Sequence, residues 1–153
     1  MIEFWQIGKP EKELDSAVQE YIKRIKSFVK FETVHLSPYK GDKSIEIIKL
    51  KEGQFVLDRL KPTDTLILLD ERGKSMNSIQ FAEYIEKKFT GSSKRIVFLC
   101  GGAYGFSGEI YQRAVDQIGL SSMTFSHKLI QLLFTEQLYR AFTIINKHPY
   151  HNE

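Results

Sequence analysis

The chain has 153 residues, of which 42% are hydrophobic and 27% charged, with a formal net charge of +3. This composition excludes a disordered chain. The length is typical of one globular domain that buries its own core without a disulfide or structural metal. The basic excess is small, so charge alone permits a nucleic-acid partner without requiring one. The single cysteine, Cys100, excludes an internal disulfide framework and is typical of a reducing compartment.

Apolar patterning divides the chain into alternating strands and helices. In chain order, the predicted elements are strand 2–7, helix 14–28, strand 31–36, helix 43–60, strand 65–69, helix 78–89, strand 95–100, helix 107–117, strand 123–125 and helix 128–146. Residues 65–69 and 95–100 are continuous apolar runs, which suit strands buried on both faces of a parallel sheet. Gly53 weakens the prediction of the second helix. The alternation predicts an α/β fold with a mainly parallel sheet flanked by helices.

The sequence also carries no sign of targeting or membrane insertion. No basic start leads into an apolar stretch, and no apolar run approaches the ~20 residues that a membrane-spanning helix needs. Internal repeats, low-complexity tracts and linkers are absent from the sequence. We therefore expect residues 1–153 to form a single domain of a soluble, cytoplasmic protein with no membrane partner.

The last predicted helix, residues 128–146, differs from the others because apolar side chains surround it almost completely. A helix that is apolar all round needs cover on nearly every side. A second copy of the chain is the simplest source of that cover, so we predict a homodimer with two-fold symmetry. The alternative is that the rest of the same chain covers the helix.

Three familiar ligand-binding motifs are suggested by composition but fail on spacing. Residues 73–75 (GKS) resemble the end of a phosphate-binding loop, but Leu68 stands where that motif needs its first glycine. Residues 105–108 (GFSG) are one residue short of the nucleophile elbow of α/β-hydrolases. Residues 101–108 lie between a strand and a helix without the glycine spacing of a dinucleotide loop. The sequence therefore disfavours a nucleoside triphosphatase, a serine hydrolase and an NAD-binding protein.

The glycine-rich segment 101–105 still lies where ligands bind in α/β folds. It follows a predicted buried strand, and the carboxyl ends of parallel strands form the ligand-binding edge of such sheets. Glycines let the backbone approach a ligand closely, although a simple tight turn explains them equally well. The predicted strand ends at 69–71 and 121–126 are chemically suggestive as well. Cys100 is interpreted as a small buried residue, because no histidine or lysine is near it in sequence.

The sequence ends in an unusual tail, residues 148–153 (HPYHNE). Two histidines three residues apart can bind a metal, but no cysteine or acidic cluster accompanies them, so we expect no metal site. Glu136 and Arg140 are spaced to share one face of the last helix. They form either an ordinary surface pair or an arginine held in place near the tail.

Several segments together resemble the RlmH family of SPOUT-class methyltransferases. The segments that carry the resemblance span the full chain and are IEFWQIGKP, LLDERGK, LCGGAYGFS, SSMTFSHKLIQLLFTEQLYRAFTIINK and HPYH. No single segment is specific, but the combination is. Members of this family are small bacterial enzymes that methylate N3 of a pseudouridine in large-subunit ribosomal RNA.

The resemblance implies a deep C-terminal trefoil knot, which the general rule against knotted chains would not suggest, and S-adenosylmethionine as the cofactor. The residues implied to bind this cofactor follow the three predicted strand ends and are Leu69, Gly102, Ser121, Ser122, Met123, Thr124, Phe125 and Ser126. Many family members have a proline where this chain has Ser126. The helix from His127 to Asn146 is implied to be both the knotted segment and the dimer interface.

Residue types and the resemblance together suggest three catalytic residues. The N3–H of a pseudouridine is a weak acid, so a site must remove its proton, stabilise the anion and align the ring with the methyl group. Arg140 is expected to stabilise the developing negative charge and His151 to accept the proton as a general base. Tyr150 is expected to stack on the base or hydrogen-bond to it. A protomer this small cannot easily enclose a base, so the partner's tail is expected to complete the site.

The implied substrate is the assembled ribosome, whose surface is strongly negative. Basic residues near the first helix are candidates for phosphate contacts, namely Lys9, Lys12, Lys23, Arg24, Lys26 and Lys30. For any one of them, an ordinary solvated side chain is the simpler interpretation. Two other functions stay open at this point: a non-catalytic module that binds S-adenosylmethionine, and a structural ribosome-associated factor that ignores it.

Overall fold

The computed structural model describes residues 1–10, 12–41, 44–90 and 94–151, in which strands and helices alternate. In chain order they are β1 (Ile2–Ile7), α1 (Lys12–Ile25), β2 (Phe31–Leu36), α2 (Ile45–Leu57), β3 (Thr65–Ser75), α3 (Ser78–Thr90), β4 (Ile96–Cys100), α4 (Gly108–Arg113), β5 (Asp116–Gly119) and α5 (His127–Ile145). The predicted bounds of β1 and β2 are confirmed, and those of α3, β4 and α5 agree to within one residue. Lys43 of the predicted second helix and Asn152 and Glu153 of the tail lie outside the described residues.

The five strands form one parallel sheet in the order β2-β1-β4-β3-β5. Residues 66–69 of β3 and 96–100 of β4 are buried. Alternate residues of these runs join two different apolar clusters, one on each face of the sheet. The predicted α/β fold with a parallel sheet flanked by helices is therefore confirmed.

Helices cover both faces of this sheet. The first face carries α1, α3 and α5, and its core includes Phe4 and Phe98, whose rings lie 5.0 and 4.8 Å from that of Phe134 on α5. The second face carries α2 and α4, whose Val56 and Ile110 are buried against the sheet. This arrangement leaves the carboxyl ends of the strands free to form a site.

The strand predicted at residues 123–125 is wrong, and the helix predicted at 107–117 is too long. The helix ends at Arg113, and the chain then forms β5, which pairs with β3 on both sides of an irregularity between Leu69 and Lys74. Gly73 makes this pairing possible, because a Cβ there would lie 2.5 Å from the backbone nitrogen of Ile118. The glycine that resembled part of a phosphate loop therefore serves a close contact between two backbones.

Helix α5 is only partly covered by the described part of its own chain. Its buried residues, including Phe134 and Leu138, lie against the sheet between α1 and α3. Leu129 is 40% exposed and Leu133 only partly buried, so an apolar stripe of the helix remains uncovered in this single chain. The same chain therefore covers part of the helix, and the uncovered part leaves room for the second copy that we predicted. The homodimer and the trefoil knot stay predictions.

Candidate active site

A cavity of about 670 Å³ lies at the carboxyl end of β4 and beside residues 69–72 of β3, where the pairing of β3 with β4 ends, and is bordered by the segment after β5. This volume is within the usual range for small-molecule sites. The predicted cofactor-binding residues that line it are Leu69, Gly102, Ser121, Met123, Thr124, Phe125 and Ser126. Ser122 is exposed and is not part of the lining. The structure therefore brings seven of the eight predicted residues together around one cavity.

The glycine loop, residues 101–105, forms one wall of this cavity. It is a tight turn in which the amide of Gly105 donates to the carbonyl of Gly102 at 3.2 Å. Gly105 has a φ of 78°, a value that favours glycine. The loop is thus both a tight turn and a close backbone wall for a ligand, so the two interpretations of its glycines are compatible.

Charged residues in the middle of β3, within the irregularity between Leu69 and Lys74, form a rim of the cavity. Asp70 accepts hydrogen bonds from the Tyr111 hydroxyl at 2.5 Å and from Nη2 of Arg72 at 3.2 Å. Burial alone would raise the pKa of Asp70, but these two partners hold it below its usual range. Burial and the bond to Asp70 raise the pKa of Tyr111 to about 12. Asp70 is therefore an ionised anchor that fixes Arg72 beside the cavity.

The segment after β5 is tied to the same rim. The Thr124 hydroxyl donates to the carboxylate of Glu71 on β3. This bond joins the predicted cofactor-binding segment 121–126 to the rim. The backbone of this segment then turns into α5 at Ser126, whose side chain makes no capping bond. Gln6 of β1, which is 1% exposed, donates to the carbonyl of His127 at 2.6 Å and so anchors the start of the helix. The cavity walls are thus fixed by side chains from β1 and β3.

The three predicted catalytic residues gather at the other end of α5, in what we call the tail cluster: Arg140, Tyr150 and His151. Nη1 of Arg140 lies 3.3 Å from Nδ1 of His151, and its guanidinium lies 4.8 Å from the centre of the Tyr150 ring. Glu136 holds the cluster, because its Oε1 accepts from Nε of Arg140 at 3.1 Å and from the Tyr150 hydroxyl at 3.3 Å. The pair Glu136–Arg140 therefore does hold an arginine beside the tail.

A reversal of the chain after α5 places the tail there. Lys147 has a φ of 55°, the left-handed conformation that commonly ends helices. The amide of His148 donates to the carbonyl of Thr143 at 2.8 Å, as in a Schellman motif. The Tyr150 ring then rests 4.7 Å from that of Tyr139, and its hydroxyl lies 3.3 Å from that of Tyr21 on α1.

The cavity and the tail cluster are separated by more than half the length of α5. His127 lines the cavity at the start of the helix, and Arg140 lies thirteen positions further on. At 1.5 Å per residue this separation is about 20 Å. The structure therefore brings each set of candidates together, but it does not bring the two sets to each other within one chain.

Other classes of site find no support in the described ranges of the chain. No group of three or more histidine, cysteine, aspartate or glutamate side chains gathers there. No helix in the same ranges is long and apolar enough to cross a membrane. Cys100 is buried, and its burial raises the pKa of the thiol to about 12, so it is the small buried residue expected from the sequence.

Comparison with known proteins places this geometry in a family. Residues 1–151 match the family described as "Predicted SPOUT methyltransferase". Over 140 residues the chain is 46% identical to the Ribosomal RNA large subunit methyltransferase H of Bacteroides thetaiotaomicron, covering 90% of this chain and 89% of that protein. The protein of the same name from Phocaeicola vulgatus is 47% identical, covering 94% of this chain and 92% of that protein. The one from Christiangramia forsetii is 45% identical, covering 95% of each. The family match spans the cavity and the tail cluster alike.

Proposed function

The chain belongs to the SPOUT methyltransferase family, and on that premise we propose that it transfers a methyl group from S-adenosylmethionine to N3 of a pseudouridine in large-subunit ribosomal RNA. The observation that carries the proposal is the single cavity lined by seven of the eight residues predicted to bind the cofactor. The printed names of the relatives, which specify a large-subunit ribosomal RNA methyltransferase, support the substrate. A ribosomal substrate would also agree with the cytoplasmic location expected from the sequence.

The residues around the cavity fit this cofactor. Leu69, Met123 and Phe125 supply apolar surface for an adenine ring, and the glycine loop supplies backbone groups at close range. Glu71 and Arg72 supply opposite charges for the charged amino-acid part of the molecule. The bound cofactor supplies a methyl group on a positively charged sulfur, which makes that methyl group open to in-line attack.

The tail cluster has the chemistry that a pseudouridine requires. His151 would accept the proton of N3, whose electron pair then forms the new N–C bond as the S–C bond breaks. Arg140 would stabilise the negative charge that develops on the neighbouring carbonyl oxygens. Burial and contacts with Tyr21 and Glu136 raise the pKa of Tyr150. The phenol of Tyr150 therefore stays neutral and is able to stack on the base or donate a hydrogen bond to it. Each role is a proposal about side chains already in contact with one another.

The separation of about 20 Å along α5 supports a site shared between two protomers. Leu129, Leu133, Glu136 and Arg140 follow one another at spacings of four, three and four, so they form one stripe of the helix. A second copy packed antiparallel on this stripe would cover the exposed leucines and bring its tail cluster to the first copy's cavity. The proposed homodimer thus accounts for the uncovered stripe and the divided site together.

The surroundings of the tail cluster suit an RNA partner. The Arg24 guanidinium lies 5.5 Å from the centre of the Tyr139 ring, which in turn contacts Tyr150. Lys23 and Lys26 flank Arg24 and are exposed. We propose that this basic part of α1 contacts ribosomal RNA phosphates, in which case activity falls as salt rises.

The proposed reaction is tested with ribosomes that lack the modification. The purified protein is incubated with radiolabelled S-adenosylmethionine and these ribosomes, and the labelled nucleotide is mapped. We expect label at N3 of one pseudouridine of the large-subunit RNA. Cofactor binding without transfer would instead favour the non-catalytic module, and ribosome binding without cofactor binding would favour the structural factor.

The shared site predicts complementation between two inactive variants. Arg140 and His151 lie in the same tail cluster, so pairing Arg140→Ala with His151→Ala leaves every site defective and cannot test sharing. A cavity variant is needed instead, such as Ser121→Trp, which places a bulky ring at the cavity wall where the cofactor is proposed to bind. Co-expression of Ser121→Trp with Arg140→Ala is expected to restore about a quarter of wild-type activity, because half of the dimers are mixed and each has one intact site. Doubly tagged heterodimers purified from this mixture, each with one intact site of two, should transfer methyl groups at about half of the wild-type rate; inactive heterodimers would rule out a shared site.

A further inference from the structure

A buried glutamate on α2 lies directly behind the glycine loop. Glu52 is 4% exposed, and its Oε2 would be 2.8 Å from a Cβ placed on Gly102. Gly102 lines the cavity on its other side. The absence of a side chain at position 102 therefore leaves the space into which the Glu52 carboxyl fits.

Helix α2 packs against the glycine loop near Gly102 and against Ser107, two residues after the loop ends. Next to Glu52, Gly53 lets the helix approach so closely that a Cβ there would lie 2.5 Å from Oγ of Ser107. Ser107 is the N-cap of α4 and immediately follows the loop and Phe106. Gly53, which weakens α2 as a helix, is thus explained by close packing. The paired residues 52 and 53 hold α2 against the start and the exit of the loop.

The Glu52 carboxyl is buried with only one of its two oxygens hydrogen-bonded. Its Oε1 accepts from the backbone amide of Tyr39 at 3.1 Å, whereas its Oε2 has no hydrogen-bond partner within the described chain. The apolar residues that line the small crevice beside it come from α2, β1, β4, α4 and the segment before α4, and Lys49, one turn earlier on α2, borders the crevice as well. Burial raises the pKa of Glu52.

A carboxyl in such a place is expensive for the fold. An apolar side chain of similar volume would fill the same space without the cost of burying an oxygen that lacks a partner. The location of that oxygen, against the residue that forms the cavity wall, indicates a role in the cavity rather than in stability alone.

We propose that Glu52 is a positioning residue that acts through Gly102 to hold the glycine loop in the conformation that binds the cofactor. The inference rests on the proposed function, because it assumes S-adenosylmethionine as the ligand of the cavity. The carboxyl does this by its shape and its bond to Tyr39, and it does not touch the reacting atoms. Its loss therefore affects the affinity for the cofactor and leaves the chemical step intact at saturation.

The test compares Glu52→Ala and Glu52→Gln in the full-length protein, with Glu46→Ala, an exposed glutamate of the same helix, as the control. The Kd for S-adenosylmethionine is expected to rise at least about tenfold in Glu52→Ala, as when a supporting residue of a site is lost. Glu52→Gln, which keeps the shape and an acceptor for Tyr39, is expected to stay within about threefold, and Glu46→Ala to match the wild type. The KM for the cofactor should rise in parallel while kcat at saturation stays near the wild-type value.

Two further readouts separate positioning from a general loss of stability. Hydrogen exchange of the loop amides, measured without cofactor, is expected to speed up in Glu52→Ala and to stay unchanged in Glu52→Gln. Gly102→Ala, whose new Cβ would meet Oε2, is expected to be non-additive with Glu52→Ala in the cofactor Kd, because both changes act on one contact.

The outcomes distinguish this inference from the proposed function. An unchanged Kd and unchanged loop exchange in Glu52→Ala would overturn the positioning role while leaving the methyltransferase proposal intact. Equal losses in Glu52→Gln and Glu52→Ala, or additive effects with Gly102→Ala, would also overturn it. Faster loop exchange in Glu52→Ala, in a protein whose wild type binds no S-adenosylmethionine, would support positioning and overturn the proposed cofactor.

Discussion

Replacing Arg140 with alanine is expected to lower kcat for methyl transfer by about a hundredfold to a thousandfold, the usual loss when a group that stabilises developing charge is removed. The Kd for S-adenosylmethionine is expected to stay unchanged, because the proposed role of Arg140 is to stabilise charge on the base and not to bind the cofactor, also where the partner's tail cluster reaches the cavity. Single-turnover transfer to unmodified ribosomes and calorimetric binding of the cofactor measure the two quantities.

A conservative variant and a distant one sharpen this prediction. Arg140→Lys keeps the positive charge but loses the planar fork that bonds Glu136, so its kcat should fall between those of the wild type and Arg140→Ala. Arg59, an exposed arginine outside the cavity and the tail cluster, provides the control, and Arg59→Ala should behave as the wild type. A wild-type kcat in Arg140→Ala, or a loss explained wholly by weaker cofactor binding, would contradict the assigned role.

The second large effect concerns stability. Arg95 lies at the opposite end of the sheet from the cavity and pairs with two buried carboxylates, at 3.2 Å from Glu3 and in a short contact with Asp64. Each carboxylate residue is 5% exposed. Replacing Arg95 with methionine leaves both charges buried without their cation, so we expect the free energy of unfolding to fall by about 3–5 kcal/mol. Urea unfolding at pH 7 measures this loss.

The same network predicts how the loss depends on pH. Burial alone would raise the pKa of Asp64, but Arg95 and the Lys61 amide hold it below its usual range. In the wild type this carboxylate therefore stabilises the fold above its unfolded pKa of about 3.9, and that contribution is lost as the pH falls. In Arg95→Met the folded pKa rises instead, so protonation relieves the penalty at low pH.

We therefore expect the stability gap between the wild type and Arg95→Met to narrow as the pH falls from 7 towards 4. Arg59→Met, which removes an exposed arginine, should change the unfolding free energy by no more than about 0.5 kcal/mol at any of these pH values. A gap that stays constant across the range would show that the lost stability comes from packing of the arginine stem rather than from its charge.

The parts of the fold that sequence patterns predict well are those whose burial repeats along the chain. The apolar runs at 65–69 and 95–100 indicated buried parallel strands, and strands β3 and β4, which contain them almost entirely, lie next to each other within the sheet. Strand β5 could not be found in this way, because Asp116 and Gln117 are polar and partly or fully exposed. Its pairing depends on the close approach of Gly73, a contact between distant segments that leaves no periodic signal.

In the candidate site, too, some residues could be predicted from the sequence and others could not. The strand-end positions and the tail composition drew attention to these parts of the chain, and the resemblance to the RlmH family then singled out Gly102, Arg140 and His151. Glu52 gave no such signal: a charged residue in a helix is ordinarily placed on the surface. Its apolar neighbours give no better signal, since Ile45 and Leu50 of α2 are 50% and 47% exposed while Glu52 is 4% exposed. Only the packing of α2 on the glycine loop reveals which face is buried.

The left-handed turn at Lys147 has a thermodynamic consequence for RNA recognition. It folds residues 149–151 back onto α5, where Tyr150 is held by Glu136 and Tyr21 before any substrate binds. Fixing the backbone of a residue costs about 1–2 kcal/mol of conformational entropy at 25 °C. A tail that became ordered only on the ribosome would lose this entropy for each of its residues during binding. A preorganised tail loses little of it, so more of the binding free energy is left to position the base.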